Sequence, residues 1–391
     1  MLTPPPIRTI TLGLAEPHPL HASKITHASN LLHAANTRFT EAGYEVQTLR
    51  ISTRPLFDDL EDWSASRRLA YVQLLQKMLD DNNLSFCSLG TVDAARPTEP
   101  LAHVEQIVDM LATTTSLSMT AHLASIGHGL REEAARPIAQ VIQRLARETP
   151  EGFGNFRFAM LSCVEPGCPF FPSAYHAGPT SLSLGLQGAS IIMNALTKSS
   201  GSLTQKTKHV KEVLLEQATP IVALGQAIAK AQGITFGGID LSPAPLANDS
   251  ITTAIEQGSN SLFGSAGTLA DVAALTSALK STELPTCGYN GLMFPVLEDA
   301  VLGQRWEESL LHVHQLLLYS AVCGTGLDTI PLAGDTSLET IARLLTDVAT
   351  LSLRLRKPLS ARLFPVTNRH VGEKTTFSSP YLTNTLIKDV C

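Results

Sequence analysis

No stretch of the 391-residue chain holds about eighteen consecutive apolar residues, which argues against a membrane-spanning helix. The beginning, MLTPPPIRTITLGLAEP, carries three consecutive prolines and no apolar core of a leader peptide, so a cytoplasmic protein is expected. Six cysteines (Cys87, Cys163, Cys168, Cys287, Cys323 and Cys391) are scattered without CxxC spacing, which reads as reduced thiols, the first five in the core and the terminal one exposed. Charge is scarce, at 16% of residues and a formal net of −6, and the 29 Lys and Arg form no dense run. Nucleic acid and anionic membrane are therefore excluded as first partners. Also missing are a GxSxG elbow, HExxH, a zinc cysteine pair, a Walker loop, a kinase signature and any nucleotide fingerprint. No Ser/Gly/Pro linker divides the chain, so residues 1–391 are expected to form one domain.

What remains is apolar: 44% hydrophobic residues and a mean hydropathy of +0.10, suited to strands buried on both faces. Short apolar runs alternate with helical periodicity. Ile25, Ala28, Leu32, Ala35 and Phe39 recur at helical spacing and Gly43 closes that helix; YEVQTLRIS follows as a strand. Three more pairs repeat the theme, ending in LSFCSLG, LSMTAHLAS and FRFAMLSC. The second half predicts a long helix over Leu203 to Gln232, the buried strand ITFGGIDL, helices near 249–257, 267–280, 307–322 and 338–356, and strands LDTIPL and ARLFPV. Such alternation predicts an α/β fold with a mainly parallel sheet, helices outside, and enough repeats to close a barrel. In such folds the loops after the strands face a common crevice, so polar residues just past strand ends are the first candidates.

Four polar segments interrupt the apolar pattern. PFFPSAYHAGPTS holds Tyr175 and His176; GGIDLSPAPLANDS holds Asp240 and Ser242; CGYNGLMFPVLEDA holds Asn290, Glu298 and Asp299; CGTGLDTIPLAGDTS holds Asp328 and Asp335. Asp240 ends a strand ahead of Pro243 and Pro245, where a carboxylate suits a metal ligand or a general base, or else holds a turn. Asp328 lies inside an apolar strand, costly unless paired or aimed into a wet cavity. His176 titrates near neutrality and could move a proton. Glu298 and Asp299 open a helix, where the dipole also favours acid, and Asp335 reads as a helix cap. The turn Gly264–Thr268, with Gly267, opens a helix and offers free N–H groups to an anion, or is an ordinary tight turn. Arg8, Arg362 and Arg369 could point inward, although nothing in their spacing separates them from surface arginines.

Taken together, IRTITLGL, YHAG, FGGIDLSPAP with NDS, GYNGLMFPVLEDAVL and CGTGLDTIPLAGDTSLETIA resemble the domain-of-unknown-function 711 family, in the same order and over essentially the whole chain. The resemblance implies a roughly ten-stranded α/β barrel like that of pyruvate formate-lyase and other glycyl radical enzymes. The segment Arg369–Glu373 has a glycine without the surrounding radical-loop motif, so radical chemistry is not expected. The likeness also raises His176, Asp240, Asp249, Glu298 and Asp328, which lie in the matching segments.

The functional expectation is an enzyme acting on a small polar or anionic metabolite inside the barrel, as a lyase, isomerase or hydrolase. Asp240, Glu298 and Asp328 would hold a divalent cation such as Mg²⁺ or Ca²⁺, His176 would move a proton with Asp240 and Asp328, and Tyr175, Ser242, Asn290, Gly264, Gly267 and Thr268 would contact the ligand. The alternative is a non-catalytic binding or sensor protein using the same pocket. The apolar helices are compatible with a homodimer.

Overall fold

The computed structural model describes residues 4–199 and 201–390; Cys391 lies outside them. Ten strands form one sheet: β1 (Ile7–Gly13), β2 (Leu49–Ser52), β3 (Cys87–Val92), β4 (Leu117–Ser125), β5 (Gly129–Leu130), β6 (Phe158–Ser162), β7 (Ser181–Leu186), β8 (Thr235–Asp240), β9 (Gly326–Ala333) and β10 (Leu359–Val366). Their spatial order is β8-β7-β1-β2-β3-β4-β6-β10-β9, with the short β5 paired to β4.

The sheet is mixed. β1, β2, β3, β4 and β6 run parallel as one block. β7 lies antiparallel to β1 on one side and β10 antiparallel to β6 on the other. β8 then runs parallel to β7, and β9 parallel to β10. Two blocks of opposite direction result, and the end strands β8 and β9 do not hydrogen-bond each other.

A non-strand segment touches both of those edges. Ile239 of β8 bridges Thr286, and Asp328 of β9 bridges Pro295, both in parallel sense. The Ile239 N–H donates to the Pro285 carbonyl (2.9 Å) and the Val296 N–H to that of Asp328 (3.1 Å). Close approach at the second edge requires glycine: a β-carbon on Gly291 would lie 2.6 Å from the Gly324 Cα.

β1, β3, β7 and β9 are buried along their whole length, which accounts for their unbroken apolar character. Helices cover the outside. The helix Ala22–Glu41 buries the five residues whose spacing announced it, and Gly43 follows at φ +87°. The long helix Leu203–Ala231 starts with a reciprocal capping box between Ser202 and Gln205. The helix expected over 307–322 is shorter, Val313–Ser320, and a separate helix, Ala300–Glu307, precedes it across a turn in which Ser309 adopts φ +62°. β7 and the helix Ala189–Lys198 were not anticipated. Of the cysteines, Cys87, Cys163, Cys168 and Cys323 are buried and Cys287 half-buried. Among the described residues no helix is long and apolar enough to cross a membrane.

Candidate functional site

The ends of the strands decide where a site can be. The segment 163–180, between β6 and β7, folds against the carboxyl ends of the parallel block. Thr11 Oγ1 donates to the Pro169 carbonyl (2.9 Å), the His176 N–H to Thr53 O (2.9 Å), and the Cys163 N–H to Ala124 O (3.0 Å). His122 Nε2 meets Val164 O at 3.0 Å. The crevice expected at those ends is thus filled by the protein's own chain.

A cavity of about 350 Å³ lies at the opposite, amino-terminal ends of the same strands. Arg8 comes from the start of β1, Thr48 from just before β2 and Arg50 from β2, Phe86 from just before β3, Ser116 from just before β4 and Ser118 from β4, and Arg157 from just before β6. The tip of the 163–180 segment, Phe170 to Ser173, forms part of its wall. Asp328 and Arg362 arrive from the reversed block, Glu298 from the irregular stretch before the helix Ala300–Glu307, and Tyr381, 37% exposed, from the irregular chain after β10. A volume of this size suits a small metabolite.

Two arginines give the cavity its charge. Arg8 sits where the pairing of β1 with β7 slips between Ile7 and Thr9, a bulge that re-aims its side chain. Its Nη1 donates to Gln47 Oε1 (3.1 Å). Arg50 donates from Nε to Thr48 Oγ1 (2.9 Å), and its guanidinium lies 5.1 Å from the ring centroids of both Phe86 and Phe171. Both arginines are buried, at 8% and 7% exposure, and neither is ion-paired with any described carboxylate. Burial, reinforced by the charge of Arg8, lowers the Arg50 guanidinium to about 9. Burial likewise lowers Arg8. Arg157 is already committed, donating to Leu117 O (2.8 Å) and Leu111 O (2.7 Å).

The acidic side of the cavity is a buried trio. Arg362 donates from Nε to Asp328 Oδ1 and from Nη2 to Glu298 Oε1, with its guanidinium 5.3 Å from the Phe156 ring centroid. Two carboxylates around one guanidinium leave an excess negative charge in a desolvated place. Burial, and after it the neighbouring Asp328, raises the carboxyl of Glu298 against the opposing pull of Arg362 and Arg8. Beside the cavity, Ser118 Oγ and Thr325 Oγ1 are buried with no hydrogen-bond partner among the described residues.

The structure therefore brings Glu298 and Asp328 together at the cavity and leaves the other expected residues elsewhere. Asp240 is fully buried and accepts from Ser242 N (2.9 Å), Ser242 Oγ (2.6 Å), Tyr289 N (2.8 Å) and Asn290 N (3.1 Å). It is the knot of a loop, with Ser242 and Asn290 its partners. Of the expected cation set, Asp240 has both oxygens engaged by these loop donors, and Arg362 bridges Glu298 and Asp328. Among the described residues no three His, Cys, Asp or Glu side chains form a group able to hold a metal.

His176, expected to move a proton, packs over Gly13 with Nε2 at 3.0 Å from Pro179 O, and burial lowers its pKa. Tyr175 donates to Val164 O (2.8 Å) and meets His122 edge-on. The Gly264–Thr268 turn closes on itself through Gly264 N to Thr268 Oγ1 (3.1 Å), and none of Gly264, Gly267 and Thr268 lines the cavity. Asp299 does cap its helix, accepting from Val301 N and Leu302 N, whereas the cap near Asp335 is Ser337. Asp335 instead pairs with His370 on the surface.

Sequence reasoning missed Arg50, Arg157, the phenylalanines of the 163–180 tip and Tyr381. No local signal marked Arg50, because LRIS does not show by itself whether one face of its strand is covered or both.

The family model described as "Uncharacterised ACR (DUF711)" matches residues 3–378. The chain belongs to that family. Curated relatives carry the name UPF0210 protein. One from Neisseria gonorrhoeae (strain ATCC 700825 / FA 1090) is 27% identical over 347 residues, covering 86% of this chain and 77% of its own. One from Neisseria meningitidis serogroup B is 26% identical, covering 95% and 87%. One from Clostridium perfringens (strain 13 / Type A) is 25% identical, covering 95% and 88%. Within this DUF711 chain the matched span contains every cavity residue named above except Tyr381.

Proposed function

We propose that the chain is an enzyme that takes a small anionic metabolite into the cavity, holds its charge with Arg8 and Arg50, and moves a proton on it with Glu298. The observation that carries this reading is the pair of buried guanidinium groups facing one cavity without a carboxylate partner. An unpaired buried charge costs several kcal/mol in round terms, a penalty that an incoming carboxylate or phosphate offsets. Glu298 supports the catalytic part: a carboxyl raised by burial keeps a proton closer to neutral pH, the condition for general acid–base work. Arg362 fixes the orientation of that carboxyl. The reaction class is lyase, isomerase or hydrolase.

We infer also that the sheet closes as a barrel around the cavity, with the stretch 286–295 standing between β8 and β9. Its bridges to Ile239 and Asp328 support that closure.

A second reading, a non-catalytic binder of the same anion, is favoured by the full engagement of both carboxylates with Arg362. Turnover separates the two. Purified wild type, Arg50→Gln and Glu298→Gln are incubated with a metabolite extract and the anions are profiled by mass spectrometry. Catalysis is expected to consume an anion with wild type alone, both variants staying folded by circular dichroism. An anion retained by wild type and by Glu298→Gln without conversion supports the binder. If wild type neither retains nor converts any anion, both readings fall.

A further inference from the structure

The chain is poor in aromatic residues, 5% overall, yet seven of its 13 phenylalanines, 6 tyrosines and 2 tryptophans line this one cavity of 26 lining residues. Part of this is core filling: Phe170 and Tyr289 belong to a small apolar cluster with Leu161, Val164 and Met293, and Phe153 and Phe156 pack against Leu297, Phe364 and Phe377. The rest of the core is built from Leu, Ile, Val and Ala, and only a handful of fully buried side chains are aromatic. Another part serves the protein's own cations: Arg50 lies 5.1 Å from the centroids of Phe86 and Phe171, two rings perpendicular to each other, and Phe156 underlies Arg362.

The remainder has no such employment. Phe170 and Tyr289 have no ring or cation partner among the described residues. Phe153 and Tyr381 flank Phe156 in a stack, with centroids at 4.9 and 5.8 Å and interplanar angles of 14° and 22°. That stack leads from the exposed Tyr381 past Phe156 to the Arg362 trio. The unpaired charges of Arg8 and Arg50 stand on the neighbouring wall. Flat, polarisable faces next to a desolvated anion subsite suit a flat ligand, because ring pairs gain from offset or edge contact beyond the area they bury.

We propose that the ligand is a planar ring-bearing anion, an aromatic or heteroaromatic carboxylate, whose ring lies among these phenyl faces while its carboxylate meets Arg8 and Arg50. The inference rests on the anion-binding reading above, and its test separates the two. Ligand-observed NMR titrations of the full chain use three probes: benzoate, cyclohexanecarboxylate (equal charge and carbon skeleton, not flat) and benzyl alcohol (flat, uncharged).

Benzoate is expected to bind at least about fivefold tighter than cyclohexanecarboxylate, in line with the worth of one or two ring contacts. Tyr381→Leu, at a partly exposed position that leaves the fold intact, is expected to shrink that ratio. Arg50→Gln is expected to weaken both acids and leave benzyl alcohol unchanged. Equal affinity for the two acids overturns the ring preference and leaves the anion reading standing. Binding of benzyl alcohol as tight as benzoate overturns the anion reading. Absence of binding by all three overturns the proposal made here.

Discussion

The Asp240 carboxylate lies where a side chain on Gly288 would have to be: a β-carbon built on Gly288 falls 2.2 Å from Oδ2. Gly288 also sits at φ +75°, so alanine there meets both a clash and a strained backbone. Gly288→Ala is expected to lower the thermal midpoint, and Asp240→Asn to cost about 1–3 kcal/mol by leaving backbone donors unpaired. Chemical denaturation measures both. Since neither residue lines the cavity, anion affinity of the folded fraction is expected to persist; a selective loss of affinity in Asp240→Asn would return that residue to the site.

Arg50→Lys keeps the charge and loses the planar group that two phenyl rings contact. A drop of roughly tenfold in anion affinity is expected, with little change in folding stability, because the arginine is unpaired and already desolvated. Titration calorimetry with a bound anion reads the first and thermal melts the second. Unchanged affinity for the lysine variant would show that the contact of the guanidinium with the two rings has no role in recognition.

Removing Arg362 is expected to be far more damaging. Arg362→Met strands Glu298 and Asp328 together in a buried place, a change worth about 3–5 kcal/mol for breaking a buried pair. Adding Glu298→Gln and Asp328→Asn to the same chain is expected to restore much of the loss. A double-mutant cycle by urea denaturation checks the coupling.

The pH dependence of stability has a readable sign on its acid side. His18 is held by Tyr71 OH (2.7 Å) and Thr53 Oγ1 (2.9 Å), and burial lowers it to about 4. Its folded value lies below the unfolded value of about 6.5, so the folded state binds fewer protons between them. Stability from this group is present above about pH 6.5 and is lost as pH falls toward 4. His18→Asn is expected to be less stable at neutral pH but to show a flatter decline over that window. Glu298 acts the other way: its raised carboxyl contributes stability below the unfolded value of about 4.3, lost as pH rises through the folded one.

Much of the architecture was legible because helices and strands here follow their periodicities. The stripe Ile25 to Phe39, the run IRTITLGL and the strand ITFGGIDL appear where spacing and apolar content place them. The late start of the helix at Val313 was not legible, since the apolar pattern runs on through Ser309, which stands at φ +62°. The site was only half legible, and the reason is directional. Residues after strands were favoured, which led to His176, Tyr175 and Asp240. The 163–180 segment fills the carboxyl ends of the parallel block, and Asp240, at the end of the reversed β8, is spent on its own loop; the cavity opens at the starts of the parallel strands, where Arg8 and Arg50 stand. Asp328 was found on the reversed β9 and Glu298 in the irregular stretch before the helix Ala300–Glu307. Arg50 in LRIS carries no local mark of burial, because whether a strand has one covered face or two is settled by elements far away in sequence.

The 163–180 segment also has a kinetic meaning. Its tip is built into the cavity wall and its body is seated on the carboxyl ends of the parallel strands, so loosening those seats, His176 N–H to Thr53 O among them, would reshape the wall and change how fast a ligand comes and goes.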